Sequence, residues 1–433
     1  MFLDFLPLII AFALLFMGMP MAVALFSASF VYFAFITDIM PLTMIVQRLI
    51  SSTMTQGNLS LPLYVLVGVI MSYTGLAERL MDFCNTLVGH MRGGLAQVNV
   101  LLSMFNGGVS GSSNADAAYE CKILVPEMTK QGYPLNFSAA VTAASGLIAG
   151  VIPPAGQLIQ YGIITGTSIG ALFMSGYVPG VMLTVFQMLV VAYLAKKHNF
   201  ARGREKRATL KEIWVAFKKG FWALAVAATL VIGLRFGLFT VTEGATVMSI
   251  MCLLVGFFAF KNLKVKDLLP MFKEAAHSSC SIMLMISSSM TFGLYLSCAG
   301  IPQAIAAFFV SLSATKTLFL VMCVILLFIV GMFLNGNAVM LIMAPILYPV
   351  AVELGISPVF FGIFMIINSS IGAMTPPVGG VMFTVCNLLK LSIVDFQKAI
   401  WPFIACFFAV ILLMILFPDL FLLIPRMVYG GTV

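Results

Sequence analysis

A stretch of this chain occurs twice, and both copies are interrupted at the same places. Residues Asn114–Gly156 align without a gap on Asn337–Gly379, and the identical pairs include Asn114/Asn337, Ala115/Ala338, Pro126/Pro349, Gly132/Gly355, Phe137/Phe360 and Ile148/Ile371. Each copy begins at a polar, glycine-rich break and ends at a proline pair, Pro153-Pro154 in the first and Pro376-Pro377 in the second. Matched interruptions in two apolar halves are typical of the binding sites of membrane transporters.

The composition places the chain in a membrane. Hydrophobic residues make up 61% of its 433 residues, charged residues make up only 9%, and the mean hydropathy is +1.10. Soluble domains of this length are far more polar. The first apolar run, Leu6–Phe35, is too long for the core of a signal peptide and has no basic lead. It is therefore predicted to be a retained transmembrane helix.

Neither cysteine nor histidine forms a metal-binding pattern. The eight cysteines stand singly in apolar sequence, without a Cys-x-x-Cys pair, and the three histidines form no cluster. No His-Ser, Asp-Asp or His-Glu-x-x-His arrangement suits a membrane-embedded enzyme, and no ring of charge or filter sequence indicates a channel. The chain is predicted not to be an enzyme, and no cofactor is expected apart from a coupling ion.

Basic residues are concentrated in one connection between apolar segments. Nine of the 23 Lys and Arg residues lie between Lys196 and Lys219, which by the positive-inside rule predicts a cytoplasmic connection. Two stretches, Leu210–Phe221 and Lys261–Lys273, carry apolar residues on one face and charged residues on the other. Each is predicted to be an amphipathic arm that lies flat in the membrane interface.

The rest of the chain is predicted to be helical. The polar run Asn106–Asn114 cannot face lipid, because its backbone amides would be unpaired in hydrocarbon, so it is predicted to form the tip of a re-entrant hairpin. Asn335–Asn337 is predicted to form the tip of a second hairpin. The predicted helical segments are Leu6–Phe35, Pro41–Ser51, Leu61–Thr74, Ala77–Met91, Gly93–Phe105, Ala115–Met128, Asn136–Ile152, Gly156–Met174, Pro179–Leu194, Phe221–Phe239, Ala245–Phe260, Ser279–Ser297, Pro302–Phe333, Ala338–Glu353, Pro358–Met374, Gly379–Leu389 and Trp401–Leu423.

These segments predict an all-α polytopic membrane protein with two repeats. The number of spans between the copies fits inverted repeats, each built from one re-entrant hairpin and one helix broken at Pro-Pro. The predicted division is a scaffold helix and arm at 1–60, a first repeat at 61–175, scaffold spans with the amphipathic arms at 176–278, a second repeat at 279–390 and a C-terminal scaffold span at 391–433.

The residue types at the breaks suit a small hard cation. Prolines lack amide protons, so the carbonyls that precede them lose their helical partners and, with Ser, Thr and Asn oxygens, can hold Na⁺. For any single break the alternative is a plain kink or a close helix contact, but four breaks in two matched pairs favour ion sites. The first predicted sodium site comprises Ser110, Ser112, Asn114, Asp116, Ala149, Gly150, Ile152 and Pro153, and the second comprises Asn335, Gly336, Asn337, Met374, Thr375 and Pro376. The predicted substrate contacts are Ser113, Asn114, Pro154, Asn337 and Pro377.

Asp116 lies two residues beyond the first polar tip, and an ionisable residue inside a membrane indicates function. It either contributes charge to the first sodium site, as a direct ligand or from behind the ligands, or caps the outgoing helix by accepting backbone amides. Its counterpart in the second copy is Val339, so the two sites differ. Glu120 shares the face of Asp116, and Lys122 follows it. These two residues either line a polar cavity or, as we expect, pair with other segments or water near the helix mouth.

Several motifs together resemble one transporter family. They are Gly93–Val100 (GGLAQVNV), Ser110-Gly111-Ser112 with Ala115-Asp116-Ala117, Ala140–Ser145 (AVTAAS), Ile152-Pro153-Pro154, and Asn368 with Thr375–Gly379 (TPPVG). Over nearly its whole length the chain resembles the large membrane subunit of tripartite ATP-independent periplasmic (TRAP) transporters. Many relatives carry an acid in the second hairpin where this chain has Gly336-Asn337-Ala338, so the second site here is expected to use neutral ligands.

The resemblance implies an elevator-type transporter of the ion-transporter superfamily in a Gram-negative inner membrane. It implies sodium-coupled uptake of an organic acid, with a small four-helix membrane subunit on a separate polypeptide and a periplasmic substrate-binding protein as partners. Sialic acid is the first expectation for the substrate, and a C4-dicarboxylate or another carboxylate is the other choice. The alternative is a proton-coupled exchanger of the same architecture with Asp116 as its proton site; its uptake would persist without sodium and collapse with the pH gradient.

The position of the basic connection can be tested by labelling. Single cysteines introduced at Lys206, Lys211 and Lys219 are expected to react with a membrane-impermeant maleimide from the cytoplasmic side only. The reason is that each basic residue near an anionic surface favours that side by about 1 kcal/mol. The measurement is labelling of intact cells and of inverted vesicles, after subtraction of the labelling of the parent protein. Labelling in intact cells would overturn the predicted topology.

Overall fold

The computed structural model describes residues 2–37, 40–54, 56–200, 202–204, 206–301, 303–304, 307, 315–376 and 379–430. In this part the chain is a succession of α-helices joined by short connections. The helices before the basic connection are α1 (Phe2–Phe16), α2 (Met21–Val31), α3 (Leu42–Thr53), α4 (Gln56–Thr74), α5 (Leu76–Val88), α6 (Gly94–Ser110), α7 (Ser113–Lys130), α8 (Leu135–Ala149), α9 (Gly156–Thr165) and α10 (Ile169–Lys197).

The helices after the basic connection follow the same pattern of long spans and short broken pieces. They are α11 (Leu210–Arg235), α12 (Val241–Leu254), α13 (Val265–Cys298), α14 (Lys316–Phe333), α15 (Gly336–Glu353), α16 (Pro358–Ala373), α17 (Gly380–Leu389), α18 (Ile393–Leu416) and α19 (Pro418–Tyr429). Helices α2 and α12 each continue as a π-helical turn, Tyr32–Ile36 and Val255–Ala259.

Among the described residues, seven helices are long and apolar enough to cross a membrane, and an eighth span arises if the bent pair α4–α5 counts as one. The pair bends by 70° at Gly75, which adopts a φ of +68° that glycine reaches without strain. The protein is therefore an all-helical, multi-pass membrane protein, as the composition predicts.

The helix ends of the two copies coincide. Helix α7 begins and ends at the positions that align with the ends of α15, and α8 and α16 begin at aligned residues, Leu135 and Pro358. Each copy therefore has the order helix, turn, helix, break, helix that the repeated sequence predicts. The inversion of one copy relative to the other stays a prediction.

The helices that lead into the proline breaks are buried on every side. All residues from Phe137 to Ala149 in α8 are buried, and so are all residues from Val359 to Ala373 in α16. A helix that is apolar all round belongs in the interior of a large protein or membrane bundle. Helix α8 packs against α6 and α7, and α16 packs against α14 and α15, so both breaks lie inside protein rather than in lipid.

Small residues let these helices approach closely. A Cβ atom added to Gly372 of α16 would overlap the backbone of Gly331 in α14. In the first copy, a Cβ on Gly107 of α6 would lie 3.0 Å from the Ala149 Cα of α8. Close backbone approach of this kind is how helices associate without a hydrophobic driving force between them.

Several predicted segment boundaries are wrong. Helix α6 continues through Asn106 to Ser110, so the first tip is shorter than the predicted run Asn106–Asn114. The run Leu6–Phe35 is two helices, because α1 ends at Phe16 and the chain turns through Gly18, whose φ is +82°. Helix α2 then packs against α1. The segment Gly156–Met174 ends at Thr165, where Gly166 adopts a φ of +71°, and a new helix begins at Ile169 and continues through Pro179. The final span ends at Leu416 instead of Leu423.

The two amphipathic arms are not separate helices. Leu210–Phe221 is the first part of the continuous helix α11, and most of Lys261–Lys273 is the first part of the 34-residue helix α13. Helix α11 starts with a capping box, in which Thr209 and Glu212 satisfy each other's backbone amides. The prediction of flat arms is wrong in that each charged end runs directly into a span. The predicted helical segment Pro41–Ser51 is confirmed as the short helix α3.

The glycine contact between α14 and α16 generates a stability prediction. Gly372→Ala is expected to destabilise the protein by about 1–3 kcal/mol, because the added methyl group overlaps the Gly331 backbone. The matched control is Gly220→Ala in α11, where the Cβ would lie 3.5 Å from the Arg79 carbonyl oxygen, an ordinary contact. The measurement is thermal unfolding in detergent. Equal unfolding midpoints for the two variants would show that the contact does not constrain the packing.

Candidate functional site

Residues of both repeated stretches line one cavity of about 160 Å³. From the first copy the lining includes Gly111, Ser112, Ser113, Asn114, Gly150, Pro154, Gly156, Gln157 and Gln160. From the second copy it includes Asn335, Gly336, Asn337, Ser370, Ala373 and Gly380, and α4 contributes Leu61 and Tyr64. The two pairs of breaks, which lie far apart in sequence, therefore meet at one place.

The tip of the first hairpin is joined to the first proline break. Gly111 has a φ of +57°, and a Cβ atom there would overlap the Pro154 carbonyl oxygen, so no other residue fits. The Gly156 amide donates to the Gly111 carbonyl at 3.4 Å. This bond, which we call the first latch, holds the end of α6 against the start of α9.

The second copy has a matching bond. The Gly379 amide, at the position aligned with Gly156, donates to the Met332 carbonyl at 3.0 Å. We call it the second latch. Beside it, the Asn335 side-chain oxygen accepts from the Ala338 amide at 2.9 Å and so caps α15. The two hairpins are thus held to their own proline breaks in the same way.

Four helices begin at the wall of the cavity: α7 at Ser113, α9 at Gly156, α15 at Gly336 and α17 at Gly380. The first amides of a helix have no partner within it and carry a partial positive charge. Four such ends around one space form a binding environment for an anion such as a carboxylate.

Carbonyl groups at the same breaks carry partial negative charge. Helix α8 ends at Ala149, and the residues four positions beyond Ala149 and Gly150 are Pro153 and Pro154, which have no amide proton. The Thr375 hydroxyl donates to the Ile371 carbonyl at 2.6 Å, which leaves its lone pairs for another partner. Neutral oxygens of this kind suit a hard monovalent cation such as Na⁺.

The structure brings together only part of the predicted site. In the cavity wall are Ser112, Ser113, Asn114, Gly150, Pro154, Asn335, Gly336 and Asn337. Outside the wall are Asp116, Ala149, Ile152, Pro153, Met374, Thr375 and Pro376; of these, all but Pro376 are buried. The side chain of Ser110 and the residue Pro377 lie outside the described part of the chain.

Sequence reasoning missed two glutamines. Gln157 and Gln160 follow the first proline break on one face of α9, and their side-chain oxygens are buried without a hydrogen-bond partner in the described part. The Gln157 amide group lies against Gly336 of the other copy. Two glutamines at a spacing of three in an otherwise apolar helix were a usable signal.

Asp116 does not face this cavity. Its carboxylate accepts from the Asn106 side-chain amide at 2.9 Å and lines a separate cavity of about 140 Å³ between α4–α5 and α6–α7. The N-cap of α7 is Ser112, and within the described residues no backbone amide donates to the Asp116 carboxylate. The capping alternative is therefore wrong. Asp116 lies outside the wall of the cavity that contains the first tip, and its contribution of charge to the first sodium site stays a prediction.

Glu120 lies deeper than expected. Its side chain is fully buried, accepts from the Ser103 hydroxyl at 2.7 Å and lies 3.3 Å from the Ser145 hydroxyl oxygen. The prediction that Glu120 pairs with other segments or with water near the helix mouth is therefore wrong. Lys122, for which the same was predicted, is exposed. Among the residues that the structure describes, no three His, Cys, Asp or Glu side chains form a group that could hold a metal ion.

Residues 8–420 match the model of the family described as "Tripartite ATP-independent periplasmic transporter, DctM component". The 2,3-diketo-L-gulonate TRAP transporter large permease protein YiaN of Escherichia coli (strain K12) is 33% identical, over 94% of this chain and 95% of the relative. The sialic acid TRAP transporter large permease protein SiaM of Vibrio cholerae is 31% identical, over 96% and 97%. The C4-dicarboxylate TRAP transporter large permease protein DctM of Rhodobacter capsulatus is 30% identical, also over 96% and 97%.

The fold has a counterpart among solved structures. The YdaH transporter of Alcanivorax borkumensis superimposes with a TM-score of 0.60 over 95% of this chain and 97% of that chain, at 16% sequence identity. At that identity the likeness concerns the fold alone. The family match, together with the relatives that are similar over nearly their full length, shows that this chain belongs to the DctM family of TRAP transporter large permeases, which are transporters and not enzymes.

Proposed function

We propose that this permease catalyses sodium-coupled uptake of a small organic acid in a bacterial inner membrane. The observation that carries the proposal is the single cavity at which both pairs of helix breaks present neutral oxygens and four helix N-termini. The relatives named above are designated for 2,3-diketo-L-gulonate, sialic acid and C4-dicarboxylates, all of which carry carboxylates. Sialic acid remains our first choice and a C4-dicarboxylate or another carboxylate the other.

The helix N-termini at the breaks would bind the anionic substrate, and the carbonyl and hydroxyl oxygens would bind sodium. The anionic substrate would lie against the N-termini of α7, α9, α15 and α17, with Ser113, Asn114 and Asn337 as hydrogen-bonding groups. One sodium ion would be held at the first break by Ser112 and the carbonyls of Ala149 and Gly150. A second would be held near Thr375 and the carbonyls before Pro376. We leave Asp116 out of the sodium ligands because it faces the other cavity.

Sodium binding would then be coupled to substrate binding through the latches. An ion at either break contacts the tip of a hairpin and the broken helix beside it, which are the two segments that each latch joins. Fixing these segments orders the four helix N-termini before the substrate arrives, so that less entropy is lost on binding. The hairpins and broken helices would move as one core against the remaining spans, in an elevator motion.

The proposal includes two partners. A soluble periplasmic protein would deliver the acid to the cavity, and a small membrane subunit would pack against the scaffold spans. The two repeats would be inverted relative to each other, which places their shared cavity near the middle of the bilayer. A proton-coupled exchanger is the alternative, and the coupling experiment below separates the two.

The coupling ion can be identified by reconstitution. Proteoliposomes that contain the permease with its small subunit and binding protein are expected to accumulate substrate only under an inward sodium gradient. Because the two breaks offer two sites, uptake of a monoanion should carry inward positive current. The measurements are radiolabelled uptake and current in sodium and in choline buffers. Equal uptake in both buffers would refute sodium coupling, and uptake that follows the pH gradient instead would select the exchanger.

The sodium ligands can be tested one at a time. Ser112→Ala and Thr375→Ala are each expected to raise the sodium concentration at half-maximal uptake about fivefold, because each removes one neutral ligand worth on the order of 1 kcal/mol. Ser249→Ala is the matched control, since this buried hydroxyl of α12 also bonds a backbone carbonyl, that of Ala245 at 2.9 Å, away from the cavity. Half-saturation values equal to that of the control would remove these residues from the sites.

A further inference from the structure

A second set of polar side chains is buried behind the first hairpin, outside the wall of the transport cavity. Helices α6, α7 and α8 enclose it, and each of its side chains has no exposed surface: Asn99, Ser103, Glu120, Thr142 and Ser145. We call it the α6–α8 cluster. Glu120 is its only ionisable member, and the sodium-coupled cycle proposed above does not use it.

The hydrogen bonds of the cluster converge on Ser145. The Ser145 hydroxyl oxygen lies 2.7 Å from the Asn99 side-chain oxygen and 3.3 Å from one oxygen of Glu120. It also lies 2.8 Å from the Val141 carbonyl and 3.2 Å from the Thr142 carbonyl. The Asn99 amide nitrogen is turned the other way, toward the Thr142 hydroxyl at 2.7 Å.

With the Asn99 side-chain oxygen toward Ser145, the hydroxyl faces more acceptors than it has protons. A serine hydroxyl carries one proton and can donate to one partner, while an amide oxygen, a backbone carbonyl and an ionised carboxylate only accept. Of the four oxygens around Ser145, only that of Glu120 can itself carry a proton. If it does, Glu120 donates to Ser145 and Ser145 donates onward to Asn99 or Val141. The other Glu120 oxygen accepts from Ser103 at 2.7 Å, so both oxygens of the carboxyl group then have a partner.

The charges around Glu120 also favour its protonated form. Among the described residues no Lys, Arg or His forms an ion pair with Glu120 or with Asp116 one turn before it, and both carboxyl groups are buried. Helices α6 and α8 face Glu120 with neutral groups. Gln187 of α10 does not donate to Glu120, because its amide donates to the Ala144 carbonyl. The titratable side chains that interact with it are Cys84, Asp116, Tyr119 and Cys121, and none of them is basic. From α17, Cys386 interacts with Cys121. An unpaired ionised carboxylate there would be costly.

A cavity lies one helical turn from Glu120, on the side of Asp116. The cavity beside Asp116 is lined by Asn106 and Tyr119 and reaches the exposed Glu78. Three buried oxygens along it, Asn106 Oδ1, Asp116 Oδ2 and the Tyr119 hydroxyl, have no partner in the described part. A volume of about 140 Å³ with polar walls has room for several waters at about 30 Å³ each. Asp116 and Glu120 share one face of α7.

We propose that Glu120 is a proton-binding site of the permease, and that its proton exchanges with water through the cavity lined by Asp116. The proton completes the hydrogen bonds that hold α7 to α6 and α8, the helices that form and support the first hairpin. Loss of the proton leaves a buried charge and surplus acceptors in their place. Transport therefore depends on pH through Glu120, whether sodium or another ion drives it.

Infrared spectroscopy of the purified protein tests the site directly. Wild-type protein is expected to show the C=O stretching band of a protonated carboxyl group, which shifts in D₂O and is lost in Glu120→Gln. Asp116→Asn, the matched control, should keep this band. Ser145→Ala should shift it without removing it, because Glu120 loses the acceptor of its proton. A band that survives in Glu120→Gln, or is lost in Asp116→Asn only, overturns the assignment. A band that does not respond to D₂O overturns the proposed route.

The functional consequence is read from the pH dependence of uptake at a fixed driving gradient. Wild-type uptake is expected to fall as the pH rises, because Glu120 loses its proton, while Glu120→Gln should retain uptake and lose this dependence. Glu353→Gln, which changes an exposed glutamate of α15, should behave as wild type. A Glu120→Gln variant with the wild-type pH profile contradicts the proposal. If that variant does not assemble, the band shift in Ser145→Ala decides.

Discussion

Every backbone amide and carbonyl inside a membrane needs a partner within the protein, and this requirement governs the whole structure. A helix meets it automatically, so each break in a helix must be enclosed by other segments. The breaks in this permease lie where α8 and α16, buried on every side, run into their prolines. Glycines make the enclosure possible, because a side chain at Gly111 or Gly379 would overlap a backbone carbonyl oxygen of the break that the latch holds.

Enclosing the breaks brings helix ends of both polarities to one place. The N-termini of α7, α9, α15 and α17 and the carbonyls before the prolines surround a space that lipid does not reach. The same constraint explains why polar side chains elsewhere are found in closed networks. Asn99, Glu120 and Ser145 satisfy one another between three helices, and a network of this kind is stable only when its donors and acceptors balance.

Much of this architecture can be read from the sequence, because prolines and glycine-rich runs mark breaks wherever the surroundings are apolar. Other features depend on tertiary contacts. Apolarity alone does not show that Leu6–Phe35 turns at Gly18 and packs on itself. The charged faces at Leu210–Phe221 and Lys261–Lys273 indicate contact with water. They do not show that each stretch continues without a break into the span that follows it. The position of Asp116 next to the tip indicates the transport cavity. On helix α7, however, Asp116 lies two residues beyond Asn114, about half a turn, and therefore faces Asn106 instead.

The proposed transport cycle depends on sodium binding at the two pairs of breaks beside the shared cavity. The most direct test of this binding is the thermal unfolding midpoint of the purified permease, titrated with sodium chloride against choline chloride at constant ionic strength. A ligand that binds only the folded state stabilises it by an amount that grows with the logarithm of its concentration. The midpoint is expected to rise with sodium and not with choline, and Ser112→Ala should need more sodium for the same rise. A midpoint that responds equally to both salts would contradict sodium binding at these breaks.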